Sequence, residues 1–218
     1  MNITQRDVDL VNAEEFDIWA FGNEILYNLC RDHPEHKKPD VVAAKIWLIG
    51  RAYAAAVERR KNKAANDPIT NDAFYKEKVV PAIMKSKLDE KLDSLRQFSN
   101  IDERSIGPVL EVHYYFVDLL HKDVTDLYKR SLASKYLHFH KPKLFYIYDS
   151  MANAGLSKAM PKYRGRKVSS DGKFDAAYSS YSFKLLELQK EIKQEFGEQL
   201  TPRQLDRILL TLGAKGVA

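Results

Sequence analysis

Four side chains between Arg130 and Ala152 have the types and spacing to do chemistry. They are Lys135, His138, His140 and Asp149, in the run RSLASKYLHFHKPKLFYIYDSMA. A lysine held beside apolar surface can act as an amine nucleophile. An aspartate at the same cleft can stabilise developing positive charge or activate that nucleophile. Tyr136, Phe145, Tyr146 and Tyr148 lie among them. Their rings offer faces on which an extruded base could stack. Each residue also has a plain structural role open to it. Asp149 can simply cap a helix, and Lys135 can snorkel from the edge of a core. The histidines can be one core and one solvent side chain.

The elements that hold these residues follow from periodicity. At about 100° per residue, a helix over 131–140 puts Leu132, Ala133, Tyr136, Leu137 and Phe139 on one broad apolar side. Ser131, Ser134, Lys135 and His138 form a narrow polar stripe, facing either solvent or a cleft. Lys135 and His138 are three apart and therefore neighbours. His138 and His140 diverge by about 200° and do not converge on one metal ion in a regular helix. Pro142 stops the helix. Asp149 follows a bulky apolar run and precedes small residues, which predicts an N-cap.

The segment SKYLHFHKPKLFYIYDS resembles the region of the helix-hairpin-helix DNA glycosylase superfamily that carries a lysine on one helix and an aspartate at the start of a later one. The resemblance implies a helical fold and a base-excision activity. It makes Lys135 the nucleophile at the sugar C1′ and Asp149 the assisting carboxylate. A Schiff base could then permit strand cleavage. Where that family has a glycine-rich turn before the lysine, this chain reads HKDVTDLYKRSLAS, with no glycine. A four-cysteine iron–sulfur motif is absent, because Cys30 is the single cysteine.

Charge points in the same direction. The net charge is +5 over 218 residues. Residues 1–32 carry two basic and seven acidic side chains, whereas residues 121–173 carry twelve basic and four acidic ones. A basic half suits a polyanion, so nucleic acid is the expected partner, with DNA favoured and an acidic protein second. A solvated surface whose charges balance in space is the plain alternative. YRGRK (163–167) is the best loop for phosphate contacts, through Arg164, Arg166 and Lys167 with Tyr163 beside them. Ser134 and His138 are further candidate substrate contacts. A metal-dependent nuclease built on His138 or His140 is a third, weaker reading.

Composition excludes several classes. With 44% hydrophobic and 30% charged residues the chain can build a core under a solvated surface. No apolar run reaches the roughly 18 residues of a membrane span. The acidic N-terminus lacks the apolar stretch of a signal peptide. Cytoplasmic location and a structural, buried Cys30 are therefore expected. The nine glycines are scattered. No phosphate loop or dinucleotide fingerprint exists, and no cofactor or metal is expected.

The fold class expected is all-α, about eight helices in one domain, with possible lobes 1–100 and 101–218. Phe16, Trp19, Ala20, Ile25, Leu26 and Leu29 fall on one helical stripe. Asp40 is placed to cap a central apolar helix reaching Arg60. Helical pattern resumes from Ala73 to about Phe98, interrupted by Pro81. Further helices are expected over Val109–His121, Thr125–Phe139, Ala176–Phe196 and from Pro202, the last with Thr201 as its cap. HYYF (113–116) reads as core rather than as a stacking surface. Without alternation elsewhere, LFYIY (144–148) alone makes no sheet.

Overall fold

The computed structural model describes residues 1–12, 18–59, 70–163 and 173–214. Among them every regular element is a helix and no strand occurs. The α-helices are α1 (Gln5–Asn12), α2 (Ala20–Asp32), α3 (Pro39–Ala52), α4 (Asn71–Phe74), α5 (Val80–Lys85), α6 (Leu88–Asp93), α7 (Ile106–Leu120), α8 (Arg130–His140), α9 (Ser150–Ala159), α10 (Ala176–Phe196) and α11 (Pro202–Ala214). A π turn at Tyr75–Val79 fuses α4 and α5 into one rod, so ten helices stand where about eight were expected. Pro81 follows that π turn. Proline has no N–H for the regular ladder, and the wider turn accommodates the missing bond. A second π turn, His121–Thr125, extends α7 and ends at Asp126, whose φ is 56°. The helix expected to begin at Thr125 therefore begins at Arg130.

α8 is the centre of the molecule. Every residue from Leu132 to Phe139 is buried, including Ser134, Lys135 and His138 of the polar stripe, and Ser131 is half-buried. α2, α3 and α7 all pack against it. One continuous apolar core runs from Ile3 to Leu209. Of HYYF (113–116), read as core, His113 and Phe116 are fully buried and Tyr114 and Tyr115 are half-buried.

α3 differs from expectation in a way that matters for the site. Lys38 is the residue at its N-cap and Pro39 opens the first turn, with Asp40 one position inside the helix. The helix stops at Ala52 rather than near Arg60. The chain then folds back so closely that a side chain at Gly50 would meet the Ala56 backbone at 3.2 Å. The last carbonyls of a helix lack partners in the helix itself. Tyr53, at the C-cap, thus keeps its carbonyl oxygen for a contact elsewhere.

α9 and α11 cross at backbone contact. A Cβ on Gly155 would lie 2.0 Å from the Leu209 carbonyl oxygen, and one on Gly213 would lie 2.4 Å from that of Met151. This crossing sets the start of α9 against α11, with Met151 on Gly213 near the end of α11. Asp149 is close enough to Asp206 to raise its carboxyl. α11 opens with a reciprocal cap: the Gln204 N–H donates to Thr201 Oγ1 at 3.3 Å, and the Thr201 N–H donates to Gln204 Oε1 at 2.8 Å. Of its expected apolar face, Leu205, Ile208 and Leu209 are buried and Leu212 is half-buried.

α2 departs from its expected stripe. Leu26 and Cys30 are buried, but Trp19 and Ile25 are exposed, and Phe16 lies outside the described residues. Burial pushes the Cys30 thiol up to about 12, as expected of a structural cysteine.

Candidate functional site

Lys135 and Asp149 meet. Lys135 Nζ lies 3.3 Å from Asp149 Oδ2. The same ammonium donates to Ser131 Oγ at 3.1 Å and to the Tyr53 carbonyl at 3.3 Å. It also lies 5.8 Å from the centre of the Tyr53 ring. Its side chain is only 4% exposed, whereas that of Asp149 is 27% exposed. The expected N-cap is present too: Asp149 Oδ1 accepts from the Ala152 N–H at 2.8 Å. The residue therefore holds the start of α9 and the lysine together.

Ser134 and His138 are placed differently from a pair of substrate contacts. Both are fully buried. Ser134 Oγ donates to the Ser131 carbonyl at 3.0 Å and accepts from the Tyr148 N–H at 3.0 Å, which fixes the extended run leading to Asp149. His138 Nδ1 donates to the Phe145 carbonyl at 2.8 Å, and its Nε2 accepts from the Tyr27 hydroxyl at 2.7 Å. Arg203 Nε in turn donates to the Tyr27 oxygen at 3.0 Å. Burial, then the nearby Arg203 charge, lowers the His138 imidazole to about 3. It is a neutral ring whose two nitrogens are both engaged, and it positions rather than touches a substrate. His140 Nδ1 is bonded to the Tyr136 carbonyl at 2.9 Å. Among the described residues no group of three His, Cys, Asp or Glu side chains could hold a metal ion. The nuclease reading thus finds no ligand set there.

Tyr163 is half-buried and packs against the edge of the core, with Lys184 Nζ 5.9 Å from its ring centre. Arg164, Arg166 and Lys167 lie outside the described residues.

A cavity of about 680 Å³ lies between α2, the end of α3 and α11. Lys135 and Asp149 do not line it, and it is linked to them through Tyr53 and Asp206. The cavity has a largely apolar lining, including Trp19, Leu48 and Leu210, with Asn23, Arg203, Asp206, Arg207 and Thr211 among its polar residues. Trp19 stands 70% exposed at its rim. Arg203 lies over three rings, with its guanidinium carbon 5.8 Å from the centre of Tyr27 and 5.5 Å from those of Tyr53 and Phe139. Its Nη1 is 3.6 Å from Asp206 Oδ2. Asp206 is nearly enclosed. Burial raises its carboxyl to about 7 against the pull of Arg203, with Asp149 raising it further and Lys135 lowering it. Lys135, Asp149, Asp206 and Arg203 form one electrostatic group.

Arg203 and Asp206 were not singled out by sequence. They sit three apart at the start of α11, off its Leu205/Ile208/Leu209 face. Leu210, which widens the apolar stripe toward them, was the available signal. No helix among the described residues is long and apolar enough to cross a membrane. No protein-family model matches the chain, and neither a curated protein nor a solved structure does.

Proposed function

We propose that this protein binds nucleic acid, DNA first, and acts as a base-excision N-glycosylase with Lys135 as its amine nucleophile and Asp149 as the assisting carboxylate. The observation that supports it is the 3.3 Å approach of Lys135 Nζ to Asp149 Oδ2, with a cavity linked to them through Tyr53 and Asp206. The helix-borne lysine and helix-starting aspartate are the two parts that the resemblance in SKYLHFHKPKLFYIYDS assigns. Asp149 takes the proton that the ammonium must lose. The amine then attacks C1′, the C1′–N bond breaks, and the departing base takes its electron pair and receives the proton that Asp149 took from Lys135. Ring opening gives an imine at Lys135, from which a strand break can follow. The basic stretch 121–173 supplies the attraction to phosphate.

A second reading is favoured by a specific observation. The ammonium of Lys135 has three N–H groups and three acceptors, Tyr53 O, Ser131 Oγ and Asp149 Oδ2. It is a fully satisfied buried ion pair, which a non-catalytic helical module binding nucleic acid or protein could also contain.

The test is base release and nicking on duplexes that carry single damaged, mismatched or abasic sites. The glycosylase reading expects turnover that Lys135→Met abolishes while the variant stays folded. No turnover on any such duplex, with binding retained, leaves the module reading.

A further inference from the structure

α2 carries an apolar face that the core does not use. Ile18, Trp19, Phe21 and Ile25 are 64%, 70%, 79% and 49% exposed. Phe21, Ile25 and the half-buried Leu29 are four apart and form one ridge along the helix. The four exposed side chains offer on the order of 500 Å² of apolar surface, near the top of the roughly 300–600 Å² of the largest patch on a typical monomer. Gly22 lies in the neighbouring row, between Ile18 and Leu26. Its φ is not in the left-handed region, and a Cβ there would meet nothing within 4 Å. Neither backbone conformation nor packing inside one copy calls for glycine at this position, although glycine weakens a helix relative to alanine.

We propose that this face is the interface of a symmetric homodimer in which α2 crosses α2 of a second copy at Gly22. A twofold interface presents the same patch twice, so its knob and its hole must lie on one surface. Phe21 is the knob and Gly22 the hole, one position apart. Ridges of residues four apart pack into grooves of their own kind at a crossing angle of about −50°. The area agrees with a stable pair. Interfaces are about 57% apolar, so this patch implies roughly 900 Å² per copy, close to the roughly 800 Å² per partner of a standard complex. Lipid and nucleic acid fit the surroundings less well. A helix lying on a lipid surface carries Lys and Arg on its polar side, and a phosphate polymer needs the same charges. Residues 1–32 carry two basic and seven acidic side chains. Trp19, Gly22 and Ile25 also line the cavity, so the crossing borders it. Dimerisation through this face is independent of any nucleic-acid binding.

Sedimentation equilibrium of the full chain at micromolar concentrations tests this. The parent should sediment at twice its 25.1 kDa. Phe21→Glu changes an exposed position, so it should fold as the parent does and dimerise at least roughly thirtyfold more weakly. Gly22→Leu separates a shaped crossing from general apolar association. It adds apolar surface in open space, which the single chain tolerates, but it fills the hole and should weaken the dimer by a similar factor. Thermal melts check folding, and Ile25→Glu, also at an exposed position, replaces either variant that misfolds. A parent that stays monomeric, a dimer that Phe21→Glu leaves intact, or one that Gly22→Leu leaves equally tight overturns the proposal. A monomer that floats with phosphatidylcholine–phosphatidylserine vesicles also overturns it and gives the face to lipid. A dimer without turnover on any duplex keeps this interface and removes the glycosylase. Turnover by a strictly monomeric parent keeps the glycosylase and removes the interface.

Discussion

The two oxygens of Asp149 serve different partners: Oδ1 accepts from the Ala152 N–H at 2.8 Å, and Oδ2 lies 3.3 Å from Lys135 Nζ. One carboxylate thus links the start of α9 to the middle of α8. Its two roles are separable by substitution, because an amide can cap a helix but cannot neutralise an ammonium.

Asp149→Asn should keep the cap and lose the charge, whereas Asp149→Ala should lose both. Removing the cap costs about 1 kcal/mol. Leaving a buried lysine without its partner costs roughly 3–5 kcal/mol. Lys135→Met, which keeps the volume and leaves Asp149, 27% exposed, within reach of solvent, should cost less than leaving the lysine unpaired. Denaturant unfolding of the three variants checks the order: Asp149→Ala least stable, Asp149→Asn between, Lys135→Met least affected of the three. Equal stability of Asp149→Ala and the parent would remove the ion pair from the account.

The α9–α11 crossing predicts a strong effect far from any charge. Gly155→Ala would put a methyl group 2.0 Å from the Leu209 carbonyl oxygen, a backbone atom that cannot rotate away. The two helices must separate, at a cost of roughly 1–3 kcal/mol or more. Because the crossing also sets Asp149 beside α11, the variant should lose function beyond its loss of stability. A melting temperature equal to the parent's would show that the helices are not packed at backbone contact.

Acid should unfold the protein through its histidines. Burial is the leading cause that lowers His113 and His138 to about 3, and it also lowers His36 and His140. Unfolded, each titrates near about 6.5. The stability gained by keeping them neutral is present above that pH and is lost as pH falls toward the folded values. Each contributes a slope of up to about 1.4 kcal/mol per pH unit. Asp206 runs the other way: its raised carboxyl favours folding at low pH and loses that contribution as pH rises from about 4 toward 7. The histidines outnumber it, so unfolding free energy should fall below about pH 6.5. His113, stacked on Tyr178 at 3.5 Å with both ring nitrogens unpartnered, is the best probe. His113→Phe should flatten the acid slope, and an unchanged slope would contradict the assignment.

Nucleic-acid affinity should fall with salt. Each neutralised phosphate contributes a slope of about −0.9 in log affinity against log salt on duplex DNA. Replacing Arg164, Arg166 and Lys167 with glutamine should flatten the slope by about one for each phosphate no longer neutralised. A slope that the triple variant leaves unchanged would place phosphate binding elsewhere on the surface.

Much of the frame was legible because it depends on local chemistry. The bounds of α10, its end at Gly197, the Thr201 cap and the Asp149 cap all follow from residues within one turn of the boundary. What was not legible depends on distant partners. A polar stripe on α8 has the same pattern whether it meets water or the interior. Here Tyr27 and Tyr53 bury it, from more than 80 residues earlier. The early end of α3 was hidden because VVAAKIWLIGRAYAAAVERR stays helix-favouring throughout. Only the packing of Gly50 against Ala56 reveals the turn. Arg203 and Asp206 look like an ordinary solvated i, i+3 pair until the rings beneath them are known.

The most direct test of the central claim is borohydride trapping on DNA that contains an abasic site. An amine at C1′ passes through an imine, and reduction fixes it as a stable protein–DNA adduct. The account predicts an adduct that maps to Lys135 and is absent from folded Lys135→Met, with Asp149→Asn slowing its formation by roughly 10²–10⁴-fold. An adduct that persists in Lys135→Met, or no adduct from a parent protein that binds the same DNA, would contradict it.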